Sequence, residues 1–404
     1  METTIPSNVL VIGAGLSGLA VAEALSRRNI PVTILEARDR VAEPWRARHP
    51  ALRLNIHRHF AGLPGLKAPR KDGVFLRRDS LVEYLETYAK RIGAPIRFGA
   101  EVLSLDREPV GWSVKTTAGD FGAAHVVFAT GRDRLPVIPD WPGRQAFPGE
   151  IIHAADLGDV SRFDGKRVLV VGAGNSGADV LNHLARNRPA EICVSVRHGP
   201  AVVPARVFGF PLHRLARVFA AMPAWLLDPA FRLTERLFLG DLRRYGVPSH
   251  PDGGGTRLIR DGVAFAIDDG FVAALKAGRI RAAPELQRFD GQTARFADGG
   301  SFEPDIVIAA TGYDTGLQPL LGDLGVLDSQ GRPRRPAGEP DSDHPGLRFA
   351  GYKAIFTGYF DAARIAADRI SQAVVEDLSH RPTQFGPKIH RPVGRAAQPR
   401  ALHN

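Results

Sequence analysis

A strand, a glycine turn and a helix start occur twice in this chain, and that repeat limits its architecture more than any other feature. The first copy is Val9-Leu-Val-Ile-Gly13-Ala-Gly15-Leu-Ser17-Gly18, running on through an apolar helix to Leu25. Gly13 permits the tight turn, Gly15 lets a pyrophosphate approach the backbone, and Gly18 lets helix and strand pack closely. The helix N-terminus then turns its free N–H groups toward the anion. A second strand, Val32 to Glu36, ends in a carboxylate about 20 residues on, where it can accept hydrogen bonds from both hydroxyls of an adenosine ribose. The second copy is Val168-Leu-Val-Val-Gly172-Ala-Gly174-Asn175-Ser176-Gly177. Its following strand, from Glu191, ends in Arg197 and His198. A guanidinium there binds the 2′-phosphate that a carboxylate would repel; the alternative is that both cations only solvate a strand end. An acid in one copy and a base in the other imply FAD in the first and NADPH in the second, with hydride passing from nicotinamide to flavin. The fold class expected is α/β, with two Rossmann-like dinucleotide-binding domains.

Composition narrows the chemistry. With 404 residues, 44% hydrophobic and 24% charged, the chain is an ordinary globular one. Its single cysteine, Cys193, excludes a disulfide framework, a Cys-x-x-Cys redox pair, a thiolate zinc site and an iron–sulfur cluster. Cys193 alternates into the strand interior, so it reads as a small buried hydrophobe. Redox work is therefore left to bound organic cofactors. A net charge of +10 suggests nucleic acid at first sight. Half of it, however, sits on Arg381, Lys388, Arg391, Arg395 and Arg400 in an acid-free segment, 380–404, which reads as a flexible basic tail. No nucleic-acid partner is expected. The residues after Met1 lack the pattern of a signal peptide, and no run of 18 apolar residues occurs, so a cytoplasmic protein without a transmembrane segment is expected.

Further motifs carry a resemblance. Phe147-Pro-Gly149-Glu-Ile-Ile-His153 lies between the two glycine turns, with Leu157 four residues on. Two strands empty into Ala129-Thr130-Gly131 and Ala310-Thr311-Gly312-Tyr313, and Val41-Ala-Glu-Pro-Trp45 precedes a turn. Together these resemble the flavin-containing monooxygenases, most of all the YUCCA-type enzymes and their bacterial relatives, from about Val9 to Ile370. The family has an aromatic residue where Leu157 stands. The resemblance implies that Trp45 lies beside the flavin and that Asn55, in Leu52-Arg-Leu-Asn55, lies near its reactive edge, where an amide can donate to a peroxide oxygen. The other reading of Asn55 is a turn cap. Cofactor candidates outside the glycine turns are Trp45, Val102, Ala129, Thr130, Gly131, Thr311, Gly312 and Gly351. His57 and His59 read as surface or pocket-wall residues, and no metal site is expected, because no third ligand lies at a suitable spacing.

The expected organisation is a discontinuous FAD domain, 1–148 and 303–379, with an NADPH domain, 149–302, inserted in it. The chain is expected to re-enter the first unit through the strand Ile306 to Ala310. Residues 210–245 interrupt the second unit. Leu212, Leu215, Phe219, Met222 and Leu226 would share a helical stripe broken by Pro223 and Pro229. Such an insertion could roof the site, lie on a membrane surface or pack as core. By resemblance, NADPH reduces FAD, the reduced flavin forms a C4a-(hydro)peroxide with O₂, and one oxygen atom passes to a small organic substrate such as indole-3-pyruvate. Oxygenation at nitrogen or sulfur, Baeyer–Villiger insertion and a non-catalytic redox sensor are the alternatives. The sequence sets no oligomeric state.

Overall fold

The computed structural model describes residues 5–380. The basic segment after His380 lies outside the described residues. Ile5–Ile12 is the centre of the first sheet, flanked in parallel by Val32–Leu35 and Gly119–Phe128. A parallel strand covered on both faces must be apolar on both, and Val9, Leu10 and Val11 are all fully buried. Ile96–Arg97 extends the sheet beyond Val32–Leu35. Gly119–Phe128 is long enough to serve two partners. Its first half pairs with the antiparallel strand Trp112–Thr116, which in turn pairs with Val102–Arg107, and its last residues pair in parallel with Leu347–Phe349. The helices Leu16–Ser26 and Tyr359–His380 cover one face, where Ala20, Ala24, Ala363, Ala366 and Ala367 share a core. Trp112, Phe121, Phe128 and Phe349 fill the other.

The second sheet is wholly parallel, in the order Ile280–Ala283, Glu191–Ser195, Arg167–Val171, Ile306–Ala309 and Glu150–His153. Here one expectation is corrected. Ile306–Ala309 does not carry the chain back to the first unit; it lies inside the second sheet, paired with Arg167–Val171 and Glu150–His153. It takes the place that Gly119–Phe128 takes beside Ile5–Ile12. The equivalence extends to single atoms. The Gly13 N–H donates to the Leu35 carbonyl at 2.7 Å, and the Gly172 N–H donates to the Ser195 carbonyl at 2.9 Å. A Cβ on Gly13 would stand 2.8 Å from the Ala129 oxygen, and one on Gly172 2.7 Å from the Ala310 oxygen. Both Ala-Thr-Gly segments thus end the strand beside a glycine turn. The chain crosses between sheets at Leu135–Pro136 and Tyr313–Asp314, which pair antiparallel.

The insertion also departs from the sequence reading. Leu212–Leu215 is a 3₁₀ turn, Ala216–Ala221 a short helix and Ala224–Phe238 a longer one. Pro223 breaks the run as expected, but Pro229 lies within the second helix. Its nitrogen cannot donate to the Trp225 carbonyl, yet the helix runs on through it to Phe238. Nor do the five apolar residues form one buried stripe: Leu215 and Leu226 are exposed, while Phe219 and Met222 pack against Leu227 and Phe231. That inner face packs against Phe265 and Phe356, which line the cavity described next, and the insertion itself reaches the cavity at His213.

Candidate active site

A continuous cavity of about 2400 Å³ runs from the first glycine turn to the second. Gly13, Gly15, Ser17, Glu36, Trp45, Asn55, Val102, Ala129, Thr130, Gly131 and Gly351 line it from the first unit and the chain's return. Gly172, Gly174, Asn175, Ser176, Arg197, His198, Thr311 and Gly312 line it from the second. Of the sequence candidates only Gly18 and Gly177 stand back. A Cβ on them would lie 1.9 Å from the Gly13 oxygen and 2.0 Å from the Gly172 oxygen, the close helix–strand contact expected of them. Gly15 and Gly174 differ: a Cβ there meets nothing within 4 Å, because both face the open cavity. Neither helix that follows has a side-chain cap or an acid in its first turn, so first-turn N–H groups remain for an anion. The residues present therefore fit a dinucleotide pyrophosphate at each turn.

The discriminating side chains are placed differently. Glu36 accepts from the Ala14 N–H at 2.7 Å and the Arg38 N–H at 2.9 Å, which fixes its carboxylate at the cavity edge. Arg197 is exposed and 3.6 Å from the Glu285 carboxylate. His198 stands edge-on to His250 at 5.9 Å. Thr130 shares a 2.8 Å hydrogen bond with the hydroxyl of Tyr352, whose pKa burial pushes up to about 12. Gly351 approaches Ser17 so closely that a Cβ would sit 2.4 Å from its hydroxyl.

Asn55 faces the cavity and its side chain makes no hydrogen bond among the described residues, so it caps no turn. Beside it lies a histidine group. The His57 N–H donates to His213 Nδ1 and the His59 N–H to His57 Nδ1, both at 3.1 Å. Burial, then the neighbouring His57, lowers His213 to about 4, and burial followed by Arg214 lowers His57 and His59. His213 is therefore neutral at pH 7, and it lines the cavity together with Phe265 and Phe356. Burial also lifts the Cys193 thiol to about 11, so it is no nucleophile.

Three contacts between the units were not anticipated. Arg132 donates to the Gly262 carbonyl, and Arg48 donates to the Tyr313 hydroxyl while its guanidinium lies over the ring. His49 Nε2 lies 3.0 Å from Asp179, which is 3.6 Å from His183. Burial pushes the Asp179 carboxyl up, but hydrogen bonds from His183 and His49 outweigh it and bring it down to about 2. Only the His183/Asp179 spacing of four on a helix is visible in sequence.

A family model described as pyridine nucleotide-disulphide oxidoreductase matches residues 10–202. A probable indole-3-pyruvate monooxygenase of Arabidopsis thaliana, YUCCA3, is 32% identical over 374 residues, covering 89% of this chain and 85% of that one. The chain belongs to the flavin monooxygenase family. A second member, indole-3-pyruvate monooxygenase YUCCA1 of Oryza sativa subsp. japonica, is 35% identical, with 81% of each chain covered. Among solved structures, the flavin-containing monooxygenase of Stenotrophomonas maltophilia has a TM-score of 0.69 at 22% identity, covering 91% of this chain and 99% of that one. A cyclohexanone monooxygenase of Rhodococcus sp. Phi1 bound to NADP⁺ has a TM-score of 0.67 at 19% identity, covering 94% and 85%. These likenesses show a two-unit α/β fold, and the relatives make the chain a monooxygenase, an oxidoreductase. No helix among the described residues is long and apolar enough to cross a membrane.

Proposed function

We propose that this monooxygenase binds FAD on the first turn and NADPH on the second, and oxidatively decarboxylates an aromatic 2-oxo acid, with indole-3-pyruvate as the first candidate. One observation carries the reading: a single cavity joins both turns to Asn55 and to the aromatic wall of Phe265 and Phe356. In the assignment Gly13, Gly15, Ser17, Glu36, Trp45, Val102, Ala129, Thr130, Gly131 and Gly351 hold FAD. Gly172, Gly174, Asn175, Ser176, Arg197, His198, Thr311 and Gly312 hold NADPH. Bound FAD, once reduced by NADPH, supplies the activation of O₂. The chain's own residues orient and exclude. Phe265 and Phe356, backed by Phe231 at ring distances of 4.4 and 6.1 Å, offer faces for an aromatic ring. Neutral His213, which lines the cavity, adds no cationic proton donor there. Arg48, Arg257 and Arg332 line the cavity with no carboxylate within ion-pair distance among the described residues, which leaves their charge for the substrate's carboxylate. Asn55, exposed and unbonded, is the amide that can donate to the reacting oxygen.

The overall change balances as 2-oxo acid, NADPH, H⁺ and O₂ going to the shortened acid, CO₂, NADP⁺ and water. Purified FAD-loaded enzyme should consume NADPH faster with indole-3-pyruvate or phenylpyruvate than with amine, sulfide or ketone panels, releasing one CO₂ per NADPH. Stimulation by the other classes alone would replace this substrate assignment. Asn55→Ala should leave flavin reduction by NADPH unchanged while diverting electrons to H₂O₂. An unchanged product yield would return Asn55 to a structural role.

A further inference from the structure

We propose that His49, Asp179 and His183 form a binding site for a divalent transition-metal cation of the zinc class, spanning the two nucleotide units. Two of the ligands lie four apart on the helix Asn175–Leu184, the spacing that puts both side chains on one face, and the third comes from the chain just after the Trp45 turn. Their donor atoms all lie within 4.8 Å of one another. A tetrahedral zinc ion with bonds of about 2.0–2.2 Å separates its ligand atoms by roughly 3.3 Å. His49 Nε2 lies 3.0 Å from Asp179 Oδ2 and His183 Nε2 3.6 Å from Asp179 Oδ1, so each imidazole already meets one oxygen of the shared carboxylate at close to that separation. The two imidazole rings stand edge to face with centroids 4.6 Å apart, so small side-chain rotations turn their nitrogens on a shared point.

A second observation is independent of the spacing. His49 is 4% exposed, and its Nδ1 is buried without a hydrogen-bond partner. Asp179 is the one polar partner its side chain has among the described residues, so a cation between the two would replace a single contact rather than break a network. Two imidazoles and one carboxylate suit zinc, cobalt(II) or nickel(II) rather than calcium or magnesium. Asp179 and both histidines line the large cavity, so a fourth position opens to water. The bound cation would fasten the helix that starts at the second glycine turn to the flavin unit.

The test uses the FAD-loaded full chain after chelator treatment, titrated calorimetrically with ZnCl₂ and, separately, with CoCl₂ while visible absorbance is read above the flavin band. Expected are binding of one Zn²⁺ per chain at micromolar or tighter affinity and tetrahedral cobalt bands that Zn²⁺ displaces. Substitution of residues that merely support metal ligands costs 10–100-fold in affinity, so His183→Ala and Asp179→Asn should each weaken Zn²⁺ binding by at least about tenfold, with flavin content retained. Asp179→Asn preserves shape and carries the same test if His183→Ala fails to hold flavin. Absence of binding below millimolar Zn²⁺, or binding undiminished in the variant that folds, overturns the proposal, the latter placing the metal on other histidines.

Discussion

The two glycine turns are near copies in backbone and opposite in charge. Each has the same strand-to-turn hydrogen bond, the same open second glycine and the same buried third one. They part only at the end of the next strand. Glu36 is pinned by two backbone N–H groups, whereas Arg197 is exposed and held by one carboxylate of comparable exposure. The phosphate cradle is thus backbone geometry, hard to vary without losing the fold, and cofactor choice is a side-chain matter. A pinned acid suits a cofactor that stays; an exposed cation suits one that comes and goes.

The largest effects should separate the inner glycines from the outer ones. Gly18→Ala and Gly177→Ala drive a Cβ into a backbone carbonyl and should each cost about 3 kcal/mol or more, read as a fall in thermal midpoint. Gly15→Ala and Gly174→Ala meet no atom and should fold normally, the first without FAD, the second yellow but unreduced by NADPH. Flavin retained in Gly15→Ala would break the parallel. Next comes Arg197→Ala. A charge-assisted hydrogen bond is worth about 1.5–3 kcal/mol, so KM for NADPH should rise about 10- to 100-fold while KM for NADH barely moves. Equal changes for both would remove Arg197 from phosphate recognition. Smallest is Glu285→Gln. Exposed ion pairs contribute about 0–1 kcal/mol, so freeing Arg197 should lower KM for NADPH by a few-fold at most, and a rise would show that Glu285 orients the guanidinium for binding.

What could be read without the structure follows the range of each interaction. The glycine turns are local: strand, turn and helix are contiguous, and Gly13 to Gly18 and Gly172 to Gly177 carry their reasons within six residues. Glu36 and Arg197 followed because a strand end lies at a fixed distance from such a turn. The place of Ile306–Ala309 did not follow. Its apolar run suits either sheet, and the pairing with Arg167–Val171 is chosen across some 140 residues of chain by register that no local pattern encodes. Its likeness to Gly119–Phe128, each ending in Ala-Thr-Gly, was the signal that could have placed it. Pro229 misled because the rule against proline in a helix interior is an energy cost of about 3 kcal/mol, which the packing of Leu227 and Phe231 can offset. His49 and Asp179 lie 130 residues apart, and Arg132 and Gly262 likewise, so these ties between units arise only once both sheets are folded and set side by side.

Whether the two turns hold different cofactors across one cavity is read by anaerobic mixing of FAD-loaded enzyme with NADPH, followed at the flavin absorbance. The yellow colour should bleach completely, far faster with NADPH than with equal NADH in the wild type and at similar rates with both in Arg197→Ala. A flavin that stays oxidised under NADPH, in protein that binds the nucleotide, would contradict that assignment.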